Sequence, residues 1–181
     1  SGMAALTTAI EIINQIHPKR PTLQLGFPYV DVLKLPQVIF NGGDLLLSKD
    51  LDKLAIELDK KQPSAVIVEL PSNPMLQCID LPAISQLAHE RGIAVIADDT
   101  IGSAVNIDPL PYSDLIFTSL TKSFAGQGDI LAGSLVISPF SKWKSELEIA
   151  IKQVTLTQLS DPDSIALEKA SRDSIKRVSQ L

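Results

Sequence analysis

The sequence predicts a three-layer α/β/α domain in which helices cover both faces of a mostly parallel sheet. Three observations carry that expectation. Apolar runs without polar alternation, at Ala65–Glu69 and at 93–97, read as strands covered on both faces, as in a parallel sheet. The segments between such runs repeat apolar residues at helical spacing. Finally, 181 residues, 45% of them hydrophobic, can remove roughly 70% of the unfolded surface from water, so one core needs neither disulfide nor metal.

The elements follow in order. Residues 1–17 form a helix with apolar side chains on nearly every face (Met3, Leu6, Ile10, Ile13, with Ala5, Ala9 and Ile12), hence buried on both sides, and Pro18 closes it. Thr22–Leu25 and 37–40 read as short strands flanking a proline-punctuated stretch around Phe27-Pro28-Tyr29. Residues 48–61 are a helix capped by Ser48 or Asp50, with Leu51, Leu54, Ala55 and Leu58 as its stripe. After the strand Ala65–Glu69, Asp80 caps a helix with Pro82 in its first turn and Gly92 behind it. Strands follow at 93–97, 114–118 and 134–137. Helices close the chain at 142–151 and from Asp161 onward, the latter placing Leu167, Ala170, Ile175 and Val178 on one side. No repeat or Gly/Ser-rich linker divides the chain, so residues 1–181 are expected to be a single domain.

Composition narrows function. The 16 Lys and Arg against 21 Asp and Glu give a scattered net charge of −5, which argues against nucleic acid or an anionic membrane as the main partner. No apolar run approaches the ~18 residues of a membrane helix. The single thiol, Cys78, makes no internal bridge and fits a reducing compartment, so a cytoplasmic location is expected.

Ligands in such sheets bind outside the carboxyl ends of the strands. The residues there are Glu69-Leu70-Pro71-Ser72-Asn73-Pro74, Asp98-Asp99-Thr100 and Ser119-Leu120-Thr121-Lys122. A carboxylate, a lysine, hydroxyls and an amide suit a charged, phosphate-bearing ligand. Each also has a plain structural reading: a lysine just past a strand is ordinarily a solvated surface group, and Asp98 or Asn73 ordinarily serves a cap or turn. Other chemistries lack their patterns. There is no G-x-x-x-x-G-K-[ST], Gly126-Gln127-Gly128 lacks a third glycine, no Gly-x-Ser-x-Gly occurs, and His17 and His89 stand too far apart for a zinc pair. No metal is expected.

Several blocks together resemble a known family. Ser1-Gly2-Met3-Ala4-Ala5, Tyr29, Glu69-x-Pro71-Ser72-Asn73-Pro74, Asp98-x-Thr100 and Ser119-Leu120-Thr121-Lys122-Ser123-Phe124-x-Gly126 are similar, in order and spacing, to the cystathionine gamma-synthase family. These are the Cys/Met-metabolism enzymes that use pyridoxal 5'-phosphate (PLP) on the aspartate-aminotransferase-like fold, fold type I. Phe27-Pro28-Tyr29-Val30-Asp31 and Leu167-Glu168-x-x-Ser171-Arg172-Asp173 resemble its fungal-type synthase-like branch.

The resemblance implies that Lys122 carries the cofactor as a Schiff base and then acts as acid and base. It implies that Asp98 faces the pyridine nitrogen and keeps it protonated, so that the ring can take up electrons. Tyr29 would stack on the ring and take part in catalysis. The amides of Gly2 and Met3 at a helix start would hold the phosphate, with hydroxyls from Ser119 and Thr121. Asn73 would contact the ring oxygen or the substrate carboxylate, and Thr100 belongs to the same cofactor set.

The reaction implied is γ-replacement or γ-elimination on an amino acid substrate, an activated homoserine or cystathionine, by a homodimer or homotetramer. Asp99, Ile101 and Gln127 stand where much of the family has Asn, an aromatic and His, which leaves synthase, lyase and sulfhydrylase open. Family members are longer, with an N-terminal arm and a C-terminal domain that complete the site. The resemblance thus makes this chain the PLP-binding major domain, inactive in isolation, with Ser1 starting an interior helix and Leu181 interrupting the run toward a second domain. A non-catalytic domain and another fold type I enzyme, an aminotransferase or β-lyase, are the alternatives.

Overall fold

The computed structural model describes residues 1–180, so the expectation placed on Leu181 lies outside the described residues. The elements run α1 (Gly2–Ile16), β1 (Thr22–Leu25), α2 (Val30–Ile39), β2 (Gly43–Leu46), α3 (Leu51–Lys61), β3 (Ala65–Glu69), α4 (Leu81–Glu90), β4 (Ala94–Asp98), α5 (Ser103–Asn106), β5 (Leu115–Ser119), β6 (Gly133–Ile137), α6 (Lys144–Ala150), α7 (Asp161–Ser171) and α8 (Ser174–Val178). The sheet order is β2-β1-β3-β4-β5-β6. All neighbours are parallel except β6, which runs antiparallel to β5.

Alternate residues of each central strand feed opposite cores. Ala65 and Ile67 of β3, Ala94 and Ile96 of β4, and Leu115 and Phe117 of β5 pack with α1 and α6. Val66, Val68, Val95, Ala97 and Ile116 pack with Leu54 and Leu58 of α3 and Leu81, Ile84 and Ala88 of α4. Both faces are therefore covered, as the unalternating apolar runs require. Helix α1 is buried nearly all round, with Leu6, Ile10, Ile12 and Ile13 fully inaccessible. Asp50, not Ser48, caps α3, accepting from the amides of Asp52 and Lys53.

The structure corrects one expected strand. Residues 37–40 are the end of α2 and its C-cap, and the strand lies later, at Gly43–Leu46. A short apolar run fits either element. Here Val32, Leu35 and Pro36 stand at helical spacing and turn inward, while Val38 and Ile39 face solvent at 80% and 58% exposure. Pro36 inside the helix removes the N–H that would have bonded the Val32 carbonyl, a cost that packing against the sheet offsets. That packing is close: a Cβ on Gly43 would lie 3.0 Å from Pro36 Cβ. The segment beyond Asp161 is likewise not one helix but α7 and α8, broken at Arg172-Asp173, so Val178 is buried while Ile175 is 69% exposed. The helix expected at 142–151 is α6 with a 3₁₀ turn, Ile151–Gln153, behind it.

At the amino end of the sheet, the buried Asp114 collects donors from separate elements. Its Oδ2 accepts from Val95 N–H at 2.8 Å and lies 2.9 Å from His89 Nε2, and its Oδ1 accepts from Ser141 Oγ at 2.6 Å. His17 and His89, distant in sequence, both meet the Trp143 ring edge-on, with centroids 5.4 and 5.8 Å away. Their nearness is packing around an indole; burial and the neighbouring Arg20 and Lys142 cations push His17 below its ordinary pKa.

Candidate functional site

At the opposite, carboxyl end of β3, β4 and β5 a cleft of about 510 Å³ opens. It gathers every residue that the family resemblance assigns to the cofactor: Gly2 and Met3 of α1, Tyr29, Asn73, Asp98, Thr100, Ser119, Thr121 and Lys122. Short loops after parallel strands bring these residues to one edge although they lie up to 120 positions apart.

The start of α1 is pinned there by missing side chains. A Cβ on Gly2 would lie 2.8 Å from Ser119 Cβ, and one on Gly133 would lie 2.3 Å from Ser1 O. Since Gly133 pairs with Ser119 across β5 and β6, the two glycines let the helix tip sit directly on the strand ends. Ser1 caps the helix, its Oγ accepting from Ala4 N–H at 3.2 Å. The first-turn amides of Gly2 and Met3 have no carbonyl above them within the helix, and with the helix dipole they make an anion site.

On the floor, Asp98 ends β4 and is 5% exposed. Thr100 N–H donates to its Oδ1 at 3.0 Å. Burial, reinforced by the Asp99 charge, pushes the Asp98 carboxyl up to about 6 against the pull of the Thr100 bonds. A buried carboxylate of this kind is stabilised in its charged form by a neighbouring cation. Asp99 points the other way, bonded to Thr118 Oγ1, and is likewise raised by burial. Thr100 spends its own hydroxyl on the frame, with Ser119 N–H donating to Oγ1 at 2.9 Å. Thr121 lines the cleft, but its Oγ1 engages the Ala132 peptide, accepting from N–H at 3.2 Å. Among the described residues the Ser119 hydroxyl makes no such bond, and its Cβ lies against Gly2 at the α1 tip. Lys122 is exposed on the wall of the cleft.

Glu69, named by the sequence only as a strand end and motif residue, gains a task in the structure. It ends β3 in register with Asp98 and accepts from Tyr29 N–H at 3.1 Å, so it holds the start of α2, and with it the Tyr29 ring, over the cleft. Burial, then the Asp98 charge, push its carboxyl up to about 7. Its position beside Asp98 at a strand end was the available signal. The Tyr29 phenol, raised by its bond to Asp31, is 43% exposed at the mouth.

These shifts have a consequence for stability. Asp98 and Glu69 have folded-state pKa values raised from 3.8 to about 6 and from 4.5 to about 7, so the folded chain retains protons that the unfolded chain has released. Stability from these groups is therefore complete below about pH 4 and is lost as pH rises toward 7. Calorimetry of the ligand-free protein should show the melting temperature falling from pH 5 to pH 7.5, with a shallower fall in Glu69→Gln. An equal fall in that variant would contradict the assignment.

The residues fit PLP on chemical grounds. A buried carboxylate matches a cationic ring nitrogen, glycine-pinned helix amides match a phosphate, and a lysine lines the same cleft. A second cleft of about 650 Å³ nearby is mostly apolar and shares only Thr100, Ser119 and Ser123 with this one. No helix among the described residues is long and apolar enough to cross a membrane.

A profile of the Cys/Met metabolism PLP-dependent enzymes matches residues 43–169. Cystathionine gamma-synthase of Neurospora crassa is 33% identical over 165 residues, covering 88% of this chain and 27% of that protein. Cystathionine gamma-synthase of Saccharomyces cerevisiae is 36% identical over 205 residues, covering 98% of this chain and 32% of that protein. The chain thus spans about a third of the length of these relatives. The crystal structure of cystathionine gamma synthase from Xanthomonas oryzae pv. oryzae superposes with a TM-score of 0.76 at 24% identity over 96% of this chain and 45% of that one, which establishes the fold.

Proposed function

Because the chain belongs to the Cys/Met metabolism PLP-dependent enzyme family, we propose that it supplies the cofactor half of an active site that performs γ-replacement or γ-elimination on a homoserine-derived amino acid. The observation that carries this reading is the desolvated Asp98 carboxylate facing a cleft shared with Lys122 and the α1 tip. PLP supplies an electron-withdrawing ring that takes up the electron pair released at a substrate carbon.

The residues of this half would contribute as follows. Asp98 holds a proton on the ring nitrogen, and its dry surroundings strengthen that attraction relative to water. The amides of Gly2 and Met3 and the Ser119 hydroxyl bind the phosphate, which sets where the ring lies. Tyr29, tied by its amide to Glu69, would stack on the ring and shield it from water. Asn73 orients the ring oxygen or the substrate carboxylate. Thr100 and Thr121 hold the Ser119 and Ala132 backbone at the cleft wall. Lys122 Nζ would hold the cofactor, and its amine would serve as the acid and base that moves protons in the cleft.

The test is labelling. The intact protein, incubated with PLP and reduced with borohydride, should carry the pyridoxyl mass on the peptide containing Lys122, and Lys122→Ala should lose it entirely. Label on other lysines alone would defeat the proposal. Turnover assays with cystathionine, an O-acylhomoserine and an α-keto acid acceptor then separate the reactions; transamination as the main activity would overturn the γ-chemistry.

A further inference from the structure

The turn carrying Lys122 lies beyond the sheet, so its carbonyls must find partners elsewhere. Lys122 C=O accepts from Gly126 N–H at 2.7 Å, and Leu120 C=O accepts from Ala125 N–H at 2.9 Å. The carbonyls of Ser123 and Phe124 are taken by one side chain from the far end of the chain. Arg177 Nε donates to Ser123 O at 2.9 Å and its Nη2 to Phe124 O at 2.6 Å. The same Nη2 donates to Ala170 O of α7 at 3.1 Å. One rigid, planar fork therefore ties the lysine turn to the C-terminal helices.

The surroundings are built for that fork. Gly126 has φ +86°, and a Cβ there would lie 2.6 Å from both Nε and Cζ of Arg177. Helix α8 is seated by the buried Val178, whose carbonyl accepts from Asn106 Nδ2 at 3.4 Å. A small apolar cluster of Ala125, Ile130 and Ala132 with Leu167 and Ala170 extends the same junction.

We propose that Arg177 is the positioning residue of Lys122: its guanidinium caps the turn that presents the lysine and fixes where Nζ enters the cleft. The inference rests on Lys122 being the cofactor-bearing lysine and adds to that reading the device that orients it. Charge-assisted bonds to two carbonyls outweigh neutral ones, and without them the turn exchanges among conformers and attack geometry is lost. The phosphate anchors at Gly2, Met3 and Ser119 and the carboxylate at Asp98 do not touch Arg177, so cofactor docking and cofactor attachment should separate.

The intact protein and its Arg177→Ala, Arg177→Lys and Gly126→Ala variants test this. Amide hydrogen exchange of residues 120–126 is measured without ligand. The rate of borohydride-trapped PLP on Lys122 is measured beside the Kd for pyridoxine phosphate, which docks but has no aldehyde to attach. Arg177→Ala should raise exchange in the turn and slow attachment by about tenfold while leaving the pyridoxine phosphate Kd within twofold. Arg177→Lys should recover part of the rate, and Gly126→Ala, which displaces the fork, should mimic the loss. Unchanged attachment and exchange in both Arg177→Ala and Gly126→Ala, or a Kd that weakens in step with the rate, would overturn the inference. If the unaltered protein takes no label on Lys122 the proposed function falls instead, and exchange in the turn alone decides whether Arg177 holds it.

Discussion

Asp98→Asn is expected to lower turnover of the intact protein by about 100- to 1,000-fold or more, the usual cost of removing a preorganised charge from a dry site. The same substitution should make the ligand-free protein more stable at pH 7.5. Asp98 is 5% exposed with its pKa pushed up to about 6, so at that pH it is held ionised against its burial penalty. A shift of that size corresponds to ~3 kcal/mol, part of which reflects its coupling to the neighbouring acids. Asn keeps an acceptor for the Thr100 amide and carries no charge, and it also relieves Glu69, whose carboxyl is raised partly by Asp98. Opposite movements of activity and stability mark a site strained for function. Steady-state rates and thermal melts check both; turnover within tenfold of the original, or a lower melting temperature at pH 7.5, would remove Asp98 from the role proposed for it.

Asp114→Ala is expected to cost about 3–5 kcal/mol of folding free energy, a large share of the roughly 5–15 kcal/mol available to such a domain. The carboxylate is fully buried and serves the Val95 amide, the Ser141 hydroxyl and His89 at once. Its loss leaves those groups without their acceptor and opens the junction of β4, β5 and the segment leading to α6. Asp114→Asn, which keeps one acceptor, should cost less. Because the cluster lies at the opposite end of the sheet from the cleft, cofactor attachment per folded molecule should not change. Urea titrations measure the loss, and a value under ~1 kcal/mol would show that the cluster is ornamental to stability.

Much of this was legible in order and spacing. The strands β3 and β4 announced themselves because a strand buried on both faces tolerates no polar alternation, and α4 because Asp80, Pro82 and Gly92 each do a distinct terminal task. The nearness of the polar residues after β3, β4 and β5 was legible because strand ends converge whatever the helices between them do, whereas the cofactor roles given to them, and to Gly2, Met3 and Tyr29, are what the family resemblance implies. The expected strand at 37–40 fails because three apolar residues, Val38, Ile39 and Phe40, carry no period of their own; only packing on Gly43 and solvent at Val38 separate a helix end from a strand. Glu69 was visible but without a task, since its bond to the Tyr29 amide spans 40 positions.

By itself the sequence determined the layer architecture, the strand ends that carry polar groups, and the kind of ligand that a lysine, an acid and a helix start can share. Those are local properties, set by side-chain period, caps and the residue that follows each strand. Tertiary structure alone decided that the Thr100 and Thr121 hydroxyls serve the backbone, that burial raises the Asp98 carboxyl, and that Arg177 reaches back across more than 50 positions to the Lys122 turn. Such facts depend on desolvation and on distances through space, and neither is encoded in the neighbourhood of any one residue.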